Sequence, residues 1–105
     1  MRYIKDIKEF QELINRKKVT AIHFTAEWSG PCRVIGPLFE ELAEIYQDYT
    51  CLKVDMDDAQ AISREAGVKA MPTFKFYFDG EEAIDLVGTN TESLRDIFRK
   101  LKQLN

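Results

Sequence analysis

The stretch from Val19 to Tyr46 constrains the fold most, because an apolar strand-like run opens through one short loop into a long helical pattern. Val19-Thr20-Ala21-Ile22-His23-Phe24 is rich in β-branched and aromatic residues and lacks clean polar alternation, as expected of a central strand covered on both faces. Pro31 suits the first turn of a helix, where its missing N–H costs little, and Val34, Ile35, Leu38, Phe39, Leu42, Ile45 and Tyr46 continue at helical spacing. Pro37 falls inside that pattern and is expected to kink it. The loop between strand and helix is where open α/β sheets place their chemistry. Here it reads Ala26-Glu27-Trp28-Ser29-Gly30-Pro31-Cys32.

The remaining segments extend the same alternation. Asp6-Ile7-Lys8-Glu9 has the form of a capping box, followed by Ile7, Phe10, Leu13 and Ile14 on one helical face. Leu52, Val54 and Met56 alternate as a strand; Asp58 is expected to cap a short helix through Ile62 and Ala66, and Gly67 to end it. Thr73 to Phe78 and Ala83 to Val87 flank Asp79-Gly80, a hairpin signal. In the last helix Leu94, Ile97, Phe98 and Leu101 share a face, and Arg99, Lys100 and Lys102 lie near its negative end. Helices and strands alternate until the final hairpin, which predicts a mixed sheet with helices on both faces. No internal repeat or low-complexity stretch interrupts them.

At 105 residues the chain has room for one core, so a single domain over 1–105 is expected. Hydrophobic residues make up 45% of it, yet no apolar run approaches the ~18 residues that would span a bilayer. The net charge of −3 comes from intermixed acids and bases, leaving no basic stripe for nucleic acid. Cys32, Cys51 and one histidine form neither a disulfide framework nor a zinc site, so no metal is expected. Met1-Arg2-Tyr3 passes straight into amphipathic sequence without room for a signal peptide. A cytoplasmic, reducing setting, no membrane partner and a monomeric state are the expectations.

Four motifs in order, Ala26-Glu27-Trp28-Ser29-Gly30-Pro31-Cys32, Val54-Asp55-Met56-Asp57, Val68-Lys69-Ala70-Met71-Pro72-Thr73-Phe74 and Val87-Gly88, give a sequence that resembles the thioredoxin family over essentially its whole length. The resemblance implies a βαβαβαββα α/β fold, with a central mixed five-stranded sheet flanked by four helices and a cis Met71–Pro72 bond. It also implies dithiol–disulfide exchange on protein disulfides, with no bound cofactor and with electrons from NADPH delivered by thioredoxin reductase. In that exchange one cysteine attacks a substrate disulfide and a second, three positions on, resolves the mixed disulfide. Ser29 stands at the first position, and Cys32 matches the resolving one. A hydroxyl cannot form a disulfide, so the family activity is expected to be abolished or severely impaired.

Each candidate residue has a physical role to weigh. Ser29 is suited to cap the helix through its side-chain oxygen, and no Ser/His/Asp constellation accompanies it. Cys32 is either an inert, partly buried thiol or capable of one-thiol chemistry, such as S-glutathionylation or a mixed disulfide with a partner. Cys51 is expected to act as a core hydrophobe. Trp28 beside Gly30-Pro31 reads as an exposed platform, which the resemblance places at the substrate surface. A cis Met71–Pro72 bond would leave the Met71 backbone free to pair with an extended peptide, while Ala70 and Gly88 keep the surface low; with Trp28, Gly30 and Pro31 they are expected to form one exposed patch.

By resemblance the position of His23 holds a buried aspartate that assists proton transfer to the resolving thiol, with Lys53 on the neighbouring strand nearby. Burial and an adjacent ammonium both depress a histidine's proton affinity, so a neutral His23, hydrogen-bonded in the core, is expected. Two origins for these departures stay open. Ser29 is either a substitution that disables or traps an ordinary thioredoxin, or part of a natural loss of dithiol chemistry in a binding or chaperone-like module. The missing carboxylate favours the second; a purely structural subunit has no feature of its own to recommend it.

Overall fold

The computed structural model describes all residues from Met1 to Asn105. Its elements are α1 (Ile7–Ile14), β1 (Thr20–Thr25), α2 (Gly30–Ile45), β2 (Thr50–Asp55), α3 (Gln60–Ala66), β3 (Thr73–Phe78), β4 (Glu81–Val87) and α4 (Thr91–Leu101), closed by a 3-10 turn at Lys102–Leu104. The strand order is β2-β1-β3-β4, with β1 parallel to β2 and antiparallel to β3, and β3 antiparallel to β4. As its lack of clean polar alternation predicts, β1 is interior: Ala21, Ile22, His23 and Phe24 are all buried.

The sheet has four strands rather than the expected five. At the N-terminus only Tyr3 bridges to Lys53, held by Ile4 N–H to the Lys53 carbonyl at 3.0 Å and Lys53 N–H to the Arg2 carbonyl at 2.9 Å. Pairing stops there because Asp6 begins α1, its carboxylate accepting the Lys8 N–H at 3.1 Å. The capping box is only half formed, since Glu9 pairs with the Arg2 guanidinium.

Side-chain alternation on the sheet divides the interior into two cores. Ala21, Phe74 and Phe76 meet Ile35, Phe39 and Leu42 of α2 and Leu94, Ile97, Phe98 and Leu101 of α4. On the other face Ile22, Phe24, Leu52 and Val54 meet Phe10 of α1 and Ile62 of α3. The apolar pattern of α2 proves broader than its contact stripe. Ile35, Phe39 and Leu42 are buried, but Val34 and Ile45 lie together on one flank of that stripe and are 75% and 61% exposed. The helix continues through Pro37.

Two local expectations need separate accounts. Asp58 does not cap α3, whose N-cap is Ala59 without a side-chain bond; Asp58 instead pairs with Lys5 at 3.2 Å. The carboxylate that organises this turn is Asp55, accepting the N–H groups of Asp57 at 2.9 Å and Asp58 at 3.3 Å. Gly67 does end the helix, at φ 73°. The hairpin turns at Asp79 (φ 55°) and Gly80 (φ 86°), two successive left-handed positions that match strand twist in a two-residue connection.

Candidate functional site

Strand register gathers the sequence motifs at one end of the sheet. Thr25 pairs with Asp55, Phe24 with Thr73, and Thr73 with Val87. The chain therefore leaves β1 and β2, enters β3 and leaves β4 at the same end, which carries Trp28 to Cys32, Asp57, Ala70 to Pro72 and Gly88.

Ser29 is the N-cap of α2, with φ −92° and ψ 108°, and its Oγ accepts the Cys32 N–H at 3.3 Å. Only 4% of Ser29 and 3% of Cys32 is exposed. Trp28 is 68% exposed, and its indole Nε1 donates to Asp57 Oδ2 at 3.0 Å, which holds the ring over the turn after β2. Asp57 was not singled out as Trp28's partner from sequence; an exposed indole needing an acceptor is the signal that could have found it.

The Met71–Pro72 bond is cis. The Pro72 carbonyl accepts the Gly88 N–H at 2.9 Å, and the Ala70 carbonyl accepts the Thr73 hydroxyl at 2.7 Å. Between these anchored groups, the Met71 N–H and carbonyl have no hydrogen-bond partner in the chain. Pro31 and Ala70 are exposed, whereas Gly30, Met71 and Gly88 are half-buried and Pro72 is buried. The expected exposed patch is thus narrower than the motif: Pro72 fixes the loop from beneath.

His23 lies under α2, stacked on Phe74 at 4.5 Å between ring centroids and tilted against Phe39 at 5.6 Å. It is 1% exposed, and neither Nδ1 nor Nε2 has a hydrogen-bond partner. The expected core hydrogen bond is therefore missing, because the walls that neighbouring elements present to the ring include the two phenyl groups. Burial first, and the Lys53 ammonium second, lower its pKa to about 4, with Glu40 opposing them. Its neutral form is the one expected near neutral pH.

Lys53 Nζ binds Glu40 Oε2 at 2.7 Å, and this bond draws the Glu40 pKa below the ordinary carboxylate range. A Cβ on Gly36 would stand 3.8 Å from His23 Cε1 and 3.9 Å from Lys53 Nζ, so both side chains converge on the bare backbone of α2. Gly36 and Glu40 escaped the sequence reading. Their spacing of four, one helical turn, combined with a lysine on an interior-facing strand in need of an acid, is the available signal. Cys51 is half-buried against the α2–α4 core, where desolvation pushes its thiol up to about 12. Both cysteines are unpaired.

A cleft of about 510 Å³ runs beside the start of α2, with Cys32, Gly36 and Pro37 on one wall and Thr25, Lys53 and Asp55 on the other. Ser29, Trp28, Pro31 and Met71 do not line it. No group of three His, Cys, Asp or Glu side chains converges to hold a metal ion.

The thioredoxin family's sequence model matches residues 3–100. Thioredoxin of Coprinus comatus is 43% identical over 102 residues, spanning 95% of this chain and 96% of its own length. Among solved structures, Malassezia sympodialis thioredoxin superposes with a TM-score of 0.91 at 33% identity, covering 94% of this chain and 90% of its own. A structure concerned with thiol resolution in yeast mitochondrial 1-Cys peroxiredoxin via glutathione/thioredoxin systems gives 0.91 at 31% identity, covering 96% and 95%. With the family model spanning nearly the whole chain and relatives matched from end to end, this chain belongs to the thioredoxin family.

Proposed function

We propose that the chain is a recognition module of the thioredoxin family: it holds extended, cysteine-bearing protein segments at the Trp28–Met71–Gly88 end of the sheet and does not turn over their disulfides by dithiol exchange. The observation that carries the binding reading is the unpartnered main chain of Met71, flanked by the anchored Ala70 and Pro72 carbonyls. An extended peptide supplies the complementary N–H and C=O groups, as in strand addition to a sheet edge, while the Trp28 face offers apolar contact. Binding is weak, because the peptide loses conformational freedom and no covalent step holds it.

Loss of turnover follows from the sulfur inventory. Ser29 Oγ is occupied as a helix cap, Cys32 is the one sulfur in the loop, and Cys51 packs against the α2–α4 core. Dithiol exchange needs two thiols that can close on each other. A carboxylate is also missing at His23, whose ring nitrogens bond to nothing, and this second departure favours natural loss of dithiol chemistry over one disabling substitution. Protein disulfides and thioredoxin reductase remain docking partners in this reading, but NADPH electrons have no disulfide here to reduce. Residues 1–105 act as one domain, as a monomer in a reducing, cytoplasmic compartment, in keeping with two unpaired cysteines.

The test is titration with extended cysteine-containing peptides, followed by Trp28 fluorescence and the amide resonances of Ala70, Met71 and Thr73. Both signals are expected to shift, with dissociation constants on the order of a millimolar and without a covalent product. Silence of both at millimolar peptide would remove the binding reading and leave an inactivated reductase as the account.

A further inference from the structure

We propose that the outer surface where α2 meets α4 docks an amphipathic helix of a partner protein, apolar along its middle and acidic along the edge that lies over α4. The buried stripe of α2, Ile35, Phe39 and Leu42, has two flanks. Gly36 and Glu40 form one, turned to the β2 side of the sheet, where Lys53 binds the Glu40 carboxylate. Val34, Leu38 and Ile45 form the other, turned to the β3, β4 and α4 side, since β2 and β3 lie on opposite sides of β1. Leu38 is half-buried against the α2–α4 core, whereas Val34 and Ile45 are largely exposed. Pro31, three residues before Val34 and also exposed, carries the same flank to the loop after β1. From Val34 to Ile45 the apolar flank runs about 16 Å, roughly three helical turns.

The charges bordering this flank select the occupant. Arg95, Arg99 and Lys102 follow at offsets of four and three on one face of α4, and Lys102 Nζ stands 5.6 Å from the centroid of the Tyr46 ring at the C-cap of α2, so that face borders α2. Arg99 pairs with Asp96, while Arg95 and Lys102 form no ion pair within the chain. A row of cations beside an apolar stripe is complementary to a helix with acids along one edge of its apolar face. On the outer side of α2, Glu41 and Glu44 are exposed and unpaired, and they repel an occupant that is acidic along both edges. A second copy of the chain fits less well. Two exposed aliphatic side chains and one half-buried one fall well short of the ~800 Å² per partner that a stable dimer buries, whereas a helix laid in a groove needs a few anchors at this spacing. The main chain of Met71 takes no part, so this surface is distinct from the one that pairs with an extended peptide.

The experiment titrates the reduced, isotope-labelled chain with a helical peptide of about four turns that carries leucines at offsets of four, seven and eleven residues and glutamates along one edge of that face. A second peptide has lysine in place of each glutamate. The methyl resonances of Val34, Leu38 and Ile45 are expected to shift with the acidic peptide while the Met71 and Thr73 amides stay in place. The lysine peptide is expected to bind about tenfold more weakly, which is what two or three surface ion pairs supply together, and added salt to narrow that difference. Arg95→Gln combined with Lys102→Gln is expected to remove it. Val34→Ser combined with Ile45→Ser, at exposed positions that leave the buried stripe intact, is expected to abolish binding with the urea midpoint unchanged. Silence of the Val34 and Ile45 methyls, or equal affinity for the two peptides, would overturn the proposal. Movement of the same methyls with protein concentration alone would overturn it in favour of a second copy. Since these methyls report this surface and the Met71 and Thr73 amides report the other, failure here is separable from failure of the extended-peptide titration.

Discussion

Replacing His23 by phenylalanine should make the stability of this protein less dependent on acid. The imidazole is 1% exposed and stacked on Phe74, and burial with the Lys53 ammonium lowers its pKa from 6.5 to about 4. Between those values the unfolded chain binds a proton that the folded chain refuses, so stability is complete above the unfolded pKa and falls as pH drops toward the folded one. Each unit of pKa is about 1.4 kcal/mol, so a shift from 6.5 to about 4 represents roughly 3 kcal/mol, of which about 2 is lost between about pH 7 and about pH 4.5. Phenylalanine keeps a flat ring against Phe74 and Phe39 but has nothing to protonate. Other carboxylates, Glu40 among them, titrate in both proteins, so the quantity to read is the difference between wild type and His23→Phe in urea unfolding at each pH. That difference is expected to move by about 2 kcal/mol in favour of the variant as the pH falls across this window. A difference that stays constant with pH would refute the assignment of His23 as a buried neutral base.

Two further substitutions probe the frame of the site. Ser29→Ala removes the cap of α2 and should cost about 1 kcal/mol in chemical denaturation, and an unchanged midpoint would show that the 3.3 Å bond contributes nothing. Phe98→Ala removes a fully buried ring that meets Phe39, Tyr46, Tyr49 and Phe76, and should cost about 3–5 kcal/mol; a loss under about 1 kcal/mol in the same measurement would mean that the α4 face is not a packed core.

Much of this arrangement is legible in the sequence where local physics determines it. The β-branched, aromatic and non-alternating run of β1, the Pro31 start of α2, the Asp79-Gly80 turn and the Ser29 cap all report short-range constraints, and each appears in the fold. Long-range competition is harder to read. Asp6 beginning α1 reduces the expected fifth strand to one bridge at Tyr3, and Arg2 draws Glu9 out of the capping box. Asp55 takes over the turn that Asp58 was expected to cap. In the site, Glu40 and Gly36 matter because α2 crosses Lys53 and His23, a juxtaposition set by packing between elements distant in sequence. The missing hydrogen bond on His23 is likewise invisible until Phe39 and Phe74 are seen to wall the ring.

The central claim is that a thioredoxin-family scaffold here lacks the dithiol chemistry that begins at position 29. It is tested most directly by measuring reductase- and dithiothreitol-driven reduction of insulin disulfides with the wild-type chain beside Ser29→Cys. Wild type should remain at the uncatalysed rate, while Ser29→Cys should form a reducible 29–32 disulfide and turn over insulin measurably, though slowly for want of a carboxylate at His23. Turnover by the wild-type chain at the rate of the Ser29→Cys variant would contradict the account.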